Sequence, residues 1–491
     1  VHPLDELFAA HGVATHPLRL ALARLAAGWW DLDALVLETA APRRSVQELL
    51  AALDGDLDRD GDRVRLRPSV APAYERYQVP PAPPPDPDTV AGWIAAAPPP
   101  LPALDHVPAT PETVVRRARW LDERYDLRNT RLVFLGDHDL TSLAVRALRP
   151  EARLTVVDVD DRVLEYVDRR TDRSVRTVHA DLRIGLPPAI AGGADLVFSD
   201  PPYTPEGMGL FAARGVECLA EPARGHLLLA YGYSPRHPAL GAKVQRALAE
   251  LGLVFAAILP GFHRYTGAQA IGGAADLYVC QPTGRPGRGR GKGRSKDRSK
   301  DDAGIYTHGP QSVEAAASPA GLMDAVTELA DGREVVRRRA DWSAPVAAPA
   351  VALDLGTDPG PWLLRALLAV NADRLAVLVP NRHPDLADAA AQAELRRLVA
   401  PKYRLRLLRS TPDGTHAVVL AEAAPAGALS SVWTRAHGKL GNTLREALAA
   451  TGALTRNAAR QRATELVPDV ADLRLLDLPR HRIAELLAAT S

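Results

Sequence analysis

The sequence predicts an α/β protein: a Rossmann-like catalytic domain, preceded by a winged-helix-like domain and followed by a second, degenerate α/β module. Three observations predict it. Between Arg131 and Thr283, apolar runs of strand length (LVFL, LTVVDV, ADLVFSD, GHLLLAY) alternate with helical periods such as DDRVLEYVDRR and GMGLFAARGVECLAE, the pattern of a parallel sheet. Ahead of them, helical patterns run into DLDRDGDRVRLRP, where Asp60 and Gly61 mark a hairpin turn. Behind them, VALDLGTDPGPWLLRALLAVNADRLAVLVPN repeats the strand, turn, helix, strand order of LVFLGDHDLTSLAVRALRPEARLTVVDVD.

Length and composition agree with several cores. At roughly 150 residues per domain, 491 residues imply about three. A formal net charge of +1 argues against a surface devoted to nucleic acid or membrane. With Cys218 and Cys280 the only cysteines, neither a disulfide framework nor a cysteine-based zinc site is expected. No leader pattern and no membrane-length apolar run is read, so a cytoplasmic protein without metal is expected.

In chain order, residues 1–78 form the first domain. Two helical patterns lie between Pro17 and Ala40, and a third helix follows in RRSVQELLAAL, where Ser45 and Glu48 stand at capping-box spacing. Arg43 and Arg44 would begin a DNA-reading helix, but Asp54, Asp56, Asp58, Asp60 and Asp62 crowd the hairpin and repel phosphate. A structural or dimerisation role is therefore favoured over nucleic-acid binding. Residues 79–112 are too proline-rich for continuous helix or sheet and read as a semi-rigid extended connector. In the catalytic domain, 113–283, Thr110 caps the first helix and Pro111 occupies its first turn. Residues 284–305 read as a flexible basic tether. The second module, 306–430, sets Gly356 opposite Gly136 and Asp358 near His138, but Asn381 and its neighbours supply no acid after its second strand. Residues 431–491 look helical.

A doubly wound sheet binds its ligand beyond the carboxyl ends of its strands, which directs attention to GDHD, DVDD, ADL and SDPPY. Asp158, about 20 residues after the Gly136 turn, stands where an acid takes ribose hydroxyls, with Asp160 as the competing candidate. Asp181, beside Leu182, can accept a hydrogen bond from an adenine amino group. In SDPPYTPEG, Asp200, a carbonyl and the face of Tyr203 converge on a point suited to an amine nitrogen. The same motif occurs in methyltransferases acting on amino groups of bases, so it identifies amine alkylation better than the alkyl group, on a core expected to be of methyltransferase type.

The turn itself is unusual. The methionine carboxylate of S-adenosylmethionine normally lies over such a turn, bound by backbone amides. Asp137 and Asp139 would repel it: like charges about 4 Å apart cost roughly 1 kcal/mol in water and about 4 kcal/mol at an effective dielectric near 20. A decarboxylated tail, or a polyamine, would be attracted.

Together GDHDLTS, VVDVDDRVLEYV, SDPPYTPEG and FHRYTGAQAIGGAADLY, with LDHVPATPET ahead of them, resemble the branched-chain polyamine synthases, the bis(aminopropyl)spermidine synthase family, over roughly the first 310 residues. The resemblance implies a homodimer that moves aminopropyl groups from decarboxylated S-adenosylmethionine, a co-substrate and not a resident cofactor, to an internal amine of spermidine. For that transfer by direct displacement, Asp137 or Asp139 is expected to bind and deprotonate the amine, and Asp200 and Tyr203 to hold the attacking nitrogen. Glu206 would hold a second ammonium; Asp105, His138, His263 and Tyr265 would complete the polyamine cleft; Gly136, Asp158, Asp160, Asp181 and Leu182 would hold the nucleoside. Two departures stand out. The family's turn is usually Gly-Asp-Asp-Asp, and here its middle acid is His138; the family's Asp-Gln ahead of the core is Asp105 and His106. The competing readings are an N-methyltransferase using intact S-adenosylmethionine and a non-catalytic sensor of polyamine or nucleotide.

Overall fold

The computed structural model describes residues 2–267, 273–284, 305–306, 321–331, 335–339, 342–356, 362–427, 429–450, 452 and 454–490. Residues 285–304 of the expected basic tether, and Asp358, lie outside the described residues.

The amino-terminal unit packs α1 (Pro3–His11), α2 (His16–Ala27), α3 (Leu32–Thr39) and α4 (Arg43–Ala52) against a small antiparallel sheet. That sheet holds β1 (Trp30–Asp31), β2 (Leu57–Asp60) and β3 (Arg63–Leu66) in the order β1-β3-β2. Leu18, Leu22, Leu25, Val46, Leu49, Val64 and Leu66 share its core. Asp60 pairs with Arg63, so Gly61 and Asp62 make the turn, and Gly61 takes a φ of 57° that a side chain would resist.

Three expectations need correction here. Helix α1 was not read; it starts on Pro3 with the His2 side chain accepting from the Leu4 amide. The Ser45–Glu48 capping box does not form. Pro42 has no N–H to satisfy and its fixed φ launches α4 at once, so Ser45 falls inside the first turn, 3.3 Å from His11 Nε2, and Glu48 pairs with Arg44. The connector is not wholly extended: α5 (Pro87–Ala96) interrupts it, because Pro87 sits in a first turn, where proline is tolerated, and no proline follows before the helix ends. Val90 of α5 is buried against Val114 and Ala118 of α6 (Pro111–Arg124). Thr110 caps α6, accepting from the Thr113 amide, with Pro111 in its first turn as expected.

The central sheet comprises β4 (Arg131–Leu135), β5 (Arg153–Asp158), β6 (Arg176–His179), β7 (Leu196–Ser199), β8 (His226–Tyr231), β9 (Leu253–Arg264) and β10 (Ala274–Pro282). Their order is β6-β5-β4-β7-β8-β10-β9. The first five are parallel, and β10 and β9 continue the sheet antiparallel, a feature the alternating pattern does not reveal. Leu132 and Phe134 enter one core while Val133 and Leu135 enter the other, which is why these strands read as unbroken apolar runs. Helices α7 (Thr141–Leu148), α8 (Asp161–Thr171), α9 (Pro205–Cys218) and α10 (Pro238–Glu250) cover the faces. Strand order reverses between β4 and β7, so a crevice opens beyond the carboxyl ends of β4, β5 and β7.

The carboxyl-terminal sheet holds β11 (Val335–Arg339), β12 (Val346–Asp354), β13 (Val370–Pro380), β14 (Tyr403–Leu408) and β15 (His416–Ala423) in the order β11-β12-β13-β15-β14. β12 and β13 are parallel and joined through helix Leu363–Ala369, the expected strand-helix-strand order. Helices Leu440–Ala450, Arg456–Leu466 and Arg480–Thr490 follow. This half docks on the β6 and α8 edge of the core through buried charge. Arg365 reaches Asp161 at 2.7 Å and His179 Nδ1 at 3.0 Å, and His481 lies 2.7 Å from Asp168. Among the described residues no helix is long and apolar enough to cross a membrane.

Candidate active site

The crevice is lined by Gly136 and His138 after β4, Asp158 after β5, Asp181 and Leu182 after β6, and Asp200 and Pro202 after β7. Asp105 and His106 from the loop before α6, and Tyr306 from beyond the tether, complete it. Gly136 adopts φ 75° and donates its amide to the Val157 carbonyl, so the turn is bound to the neighbouring strand. Asp158 continues that stitching: Oδ2 accepts from the Asp137 amide at 2.9 Å and Oδ1 from the Asp160 amide at 2.8 Å. Burial pushes its carboxyl up to about 6. Asp160 points elsewhere, capping α8 and pairing with Arg162 at 2.7 Å, so of the two ribose candidates it is Asp158 that lines the crevice.

Asp137 and Asp139, expected to bind and deprotonate the amine, are not among the residues lining the crevice. Both carboxylates are taken up by the protein. Asp137 accepts the Ser142 amide at 3.2 and 3.3 Å, placing its charge at the amino terminus of α7, and burial pushes it up to about 7. Asp139 accepts the Ala109 amide at 2.7 Å through Oδ1 and Arg117 Nη1 at 2.8 Å through Oδ2. Burial would raise the Asp139 carboxyl, but His138 and Arg117 outweigh it and hold it below the ordinary value.

Arg117 is the hub that sequence reading missed. Fully buried on α6, it donates to Asp139, to Thr141 Oγ1 at 3.2 Å, to Asp200 Oδ2 at 2.6 Å, to Tyr265 at 3.1 Å and, through Nε, to His263 Nδ1 at 3.1 Å. A signal was present: Val114, Arg117, Ala118 and Leu121 form one apolar stripe at helical spacing, and an arginine there must have an internal partner. Asp200 also accepts Tyr265 at 2.6 Å and Tyr203 at 3.0 Å, and the two phenols are 2.8 Å apart. His263 does not reach the crevice: it is fully buried behind Arg117, and burial holds it well below the usual histidine value. Glu206 is likewise outside, exposed on the first turn of α9.

His138 and His106, the two departures, stack on each other with ring centroids 4.4 Å apart and planes 2° from parallel. His138 Nε2 lies 3.1 Å from the Val107 carbonyl and 3.4 Å from Asp139. Burial would lower His138, but Asp139 and Asp200 outweigh it and raise it; His106, buried beside it, is lowered. On the nucleoside side, Asp181 accepts Arg183 Nε at 3.0 Å, and that guanidinium lies 4.8 Å over the ring of Trp362 from the carboxyl-terminal half. Thr204 donates to the Ile305 carbonyl at 2.7 Å, which sets Tyr306 into the crevice wall. No local pattern announces Tyr306, since it arrives across the tether. Asp105, in a left-handed conformation at φ 56°, joins the lining as expected.

Four carboxylates and one guanidinium line this crevice, so it favours a cationic ligand. The raised Asp158 has a stability consequence with a defined sign. An acid whose folded pKa lies above its unfolded value binds its proton more tightly when folded, so its contribution is present at low pH and is lost as pH rises from about 4 through about 6. In thermal melts of the ligand-free protein, Asp158→Asn is therefore expected to gain relative to wild type by a few degrees more at pH 8 than at pH 4. An equal difference at both pH values would remove Asp158 from this account.

Comparison with known proteins adds the following. Residues 88–276 match the family model described as the branched-chain polyamine synthase A C-terminal domain, a narrower span than the first 310 residues. An uncharacterized protein of Methanocaldococcus jannaschii is 35% identical over 171 residues, 34% of this chain and 43% of the relative. The N(4)-bis(aminopropyl)spermidine synthase of Thermococcus kodakarensis is 31% identical over 175 residues, 34% of this chain and 49% of the relative. The enzyme of that name from Thermus thermophilus is 30% identical over 177 residues, 35% of this chain and 51% of the relative. The chain thus spans about half the length of the curated relatives it matches. A solved structure of the Thermus thermophilus branched-chain polyamine synthase, in complex with N4-aminopropylspermidine and 5′-methylthioadenosine, aligns over 58% of this chain and 92% of its own. Its identity is 22% and its TM-score 0.37.

Proposed function

We propose, from the match of residues 88–276 to the branched-chain polyamine synthase family model, that this protein transfers the aminopropyl group of decarboxylated S-adenosylmethionine to an amine of a polyamine such as spermidine, releasing methylthioadenosine. The observation that carries this reading is Asp137. The amino terminus of α7, where a methionine carboxylate would ordinarily be received, already holds the chain's own carboxylate at Ser142. A tail bearing a carboxylate finds that terminus already occupied and, as pH rises past about 7, meets like charge there, whereas a tail bearing only an ammonium does not.

In this reading Asp158 takes the ribose hydroxyls, Asp181 and Leu182 the adenine, and Gly136 lets the nucleoside approach the backbone. Asp200 receives the attacking nitrogen, with Tyr203 and Tyr265 fixing its carboxylate, while Asp105 faces a distal ammonium. Asp137 and Asp139 act through position: one closes α7, the other fixes Arg117. The neutral amine attacks the methylene beside the sulfonium; the new C–N bond forms as the C–S bond breaks, and its electrons return to sulfur. The proposal also includes a winged-helix-like amino-terminal unit serving assembly, a homodimer, and a carboxyl-terminal module descended from a ligand-binding α/β unit.

The deciding incubation supplies spermidine with decarboxylated or intact S-adenosylmethionine and reads products by mass. Aminopropyl addition with the decarboxylated donor is expected. Methyl addition from the intact donor would replace this reading by an N-methyltransferase, and binding without product would favour a sensor.

A further inference from the structure

We propose that His138 Nδ1 is the proton acceptor for the attacking amine, an assignment that rests on the transfer reading above. The observation behind it is a fixed tautomer. The Val107 carbonyl can only accept, so Nε2, 3.1 Å away, carries the hydrogen, and the neutral ring presents its lone pair at Nδ1. Among the described residues no hydrogen-bond partner of Nδ1 is found, and the side chain lines the crevice with Asp200.

The carboxylates nearby suit this task poorly. Asp137 and Asp139 are bonded to Ser142, Ala109 and Arg117, and Asp200 carries Arg117 and two phenols. The chemistry points the same way. A lysine-like ammonium near 10 lies about six units above a free carboxylate but only about four above a free imidazole, so imidazole is a better-matched base by roughly a hundredfold. The charges facing His138 come from every element around it. Asp139 and, across the crevice, Asp200 and Asp158 favour the imidazolium, and the neutral His106 ring stacked on its face adds an aromatic surface to a cation. Arg117 stands behind Asp139 and Asp200, already committed to both.

In balanced form, the ammonium N–H bond of the acceptor breaks and its proton goes to Nδ1, leaving a neutral amine and an imidazolium. The amine then displaces the sulfonium as described, the positive charge passing from sulfur to the alkylated nitrogen. His138 returns its proton to water between turnovers.

The test compares wild type with His138→Gln and His138→Asp in kcat/KM across pH 5.5–9, with methylthioadenosine affinity as the control. Wild type is expected to rise through an apparent pKa above about 6.5. His138→Gln, whose amide can still donate to Val107, should lose that limb and about 10²- to 10⁴-fold in rate, with nucleoside affinity within about threefold. His138→Asp should move the limb to lower pH. A Gln variant within about threefold of wild type and with the same limb would overturn the assignment. The comparison uses whichever donor wild type accepts, so a wrong donor sinks the aminopropyl reading while His138 still stands or falls on the limb. Nitrogen NMR of the uncomplexed protein provides a readout independent of turnover: a neutral His138 protonated at Nε2 and titrating above about 6.5 supports the assignment, and an Nδ1–H tautomer or a lower pKa overturns it.

Discussion

Arg117→Met is expected to cost about 3–5 kcal/mol of stability, a large part of the roughly 5–15 kcal/mol that holds an ordinary domain together. Methionine fills much of the space, so the loss is electrostatic. Asp139 and Asp200 both lie within 2.8 Å of the guanidinium, and without it the buried carboxylate of Asp139 and the partly buried one of Asp200 are left without their counter-charge. His263 and Thr141 would lose their donor as well. Lysine should recover only part, because a point charge on a flexible stem cannot reach both carboxylates and the His263 ring together. Adding Asp139→Asn to the methionine variant should restore part of the loss by removing one stranded charge. The check is the urea midpoint of the four proteins. A methionine variant within about 1 kcal/mol of wild type would mean that the cluster is not held by Arg117.

Under the proposed transfer, Asp200→Asn is expected to lower turnover by about 10²- to 10⁴-fold while nucleoside binding stays within a few-fold. The fold should tolerate it. An asparagine oxygen placed where Oδ2 now stands keeps Arg117 and Tyr265, and the Tyr203 oxygen can accept from the new amide. The side toward the crevice changes from acceptor to donor, so an amine that needs an acceptor meets an N–H group. Product formation by mass, with methylthioadenosine binding by calorimetry, separates the two effects. Near-normal turnover would take Asp200 out of the reaction.

How much of this was legible follows from where the determinants lie along the chain. Four of the five parallel strands could be read because each carries an apolar run buried on both faces; β6, Arg-Thr-Val-His, carries none, and only its place ahead of Asp181 suggests it. The antiparallel return of β9 and β10 could not: β9 alternates exposed and half-buried residues, and periodicity does not state direction. That Asp158 and Asp200 would share one crevice was legible because strand ends in this topology converge there. Asp137 and Asp139, expected on the crevice side of the turn, turn into the protein instead, since the amide of Ser142 and the buried Arg117 take them up. Their partners lie 5 and 22 residues away, and only folding brings the second into reach. The stacking of His106 on His138 was beyond sequence reading for the same reason, although each residue had been noticed separately as a departure.

The contact between Arg183 and Trp362 has a consequence for how this chain can change over generations. Arg183 grips Asp181 in the nucleoside wall, yet its guanidinium rests on an indole supplied by the other half of the polypeptide. Drift in the carboxyl-terminal module at that indole would register in the pocket of the core. The wall of the pocket therefore draws on Tyr306 and Trp362, and the smallest piece that preserves it is longer than the segment that matches the family model.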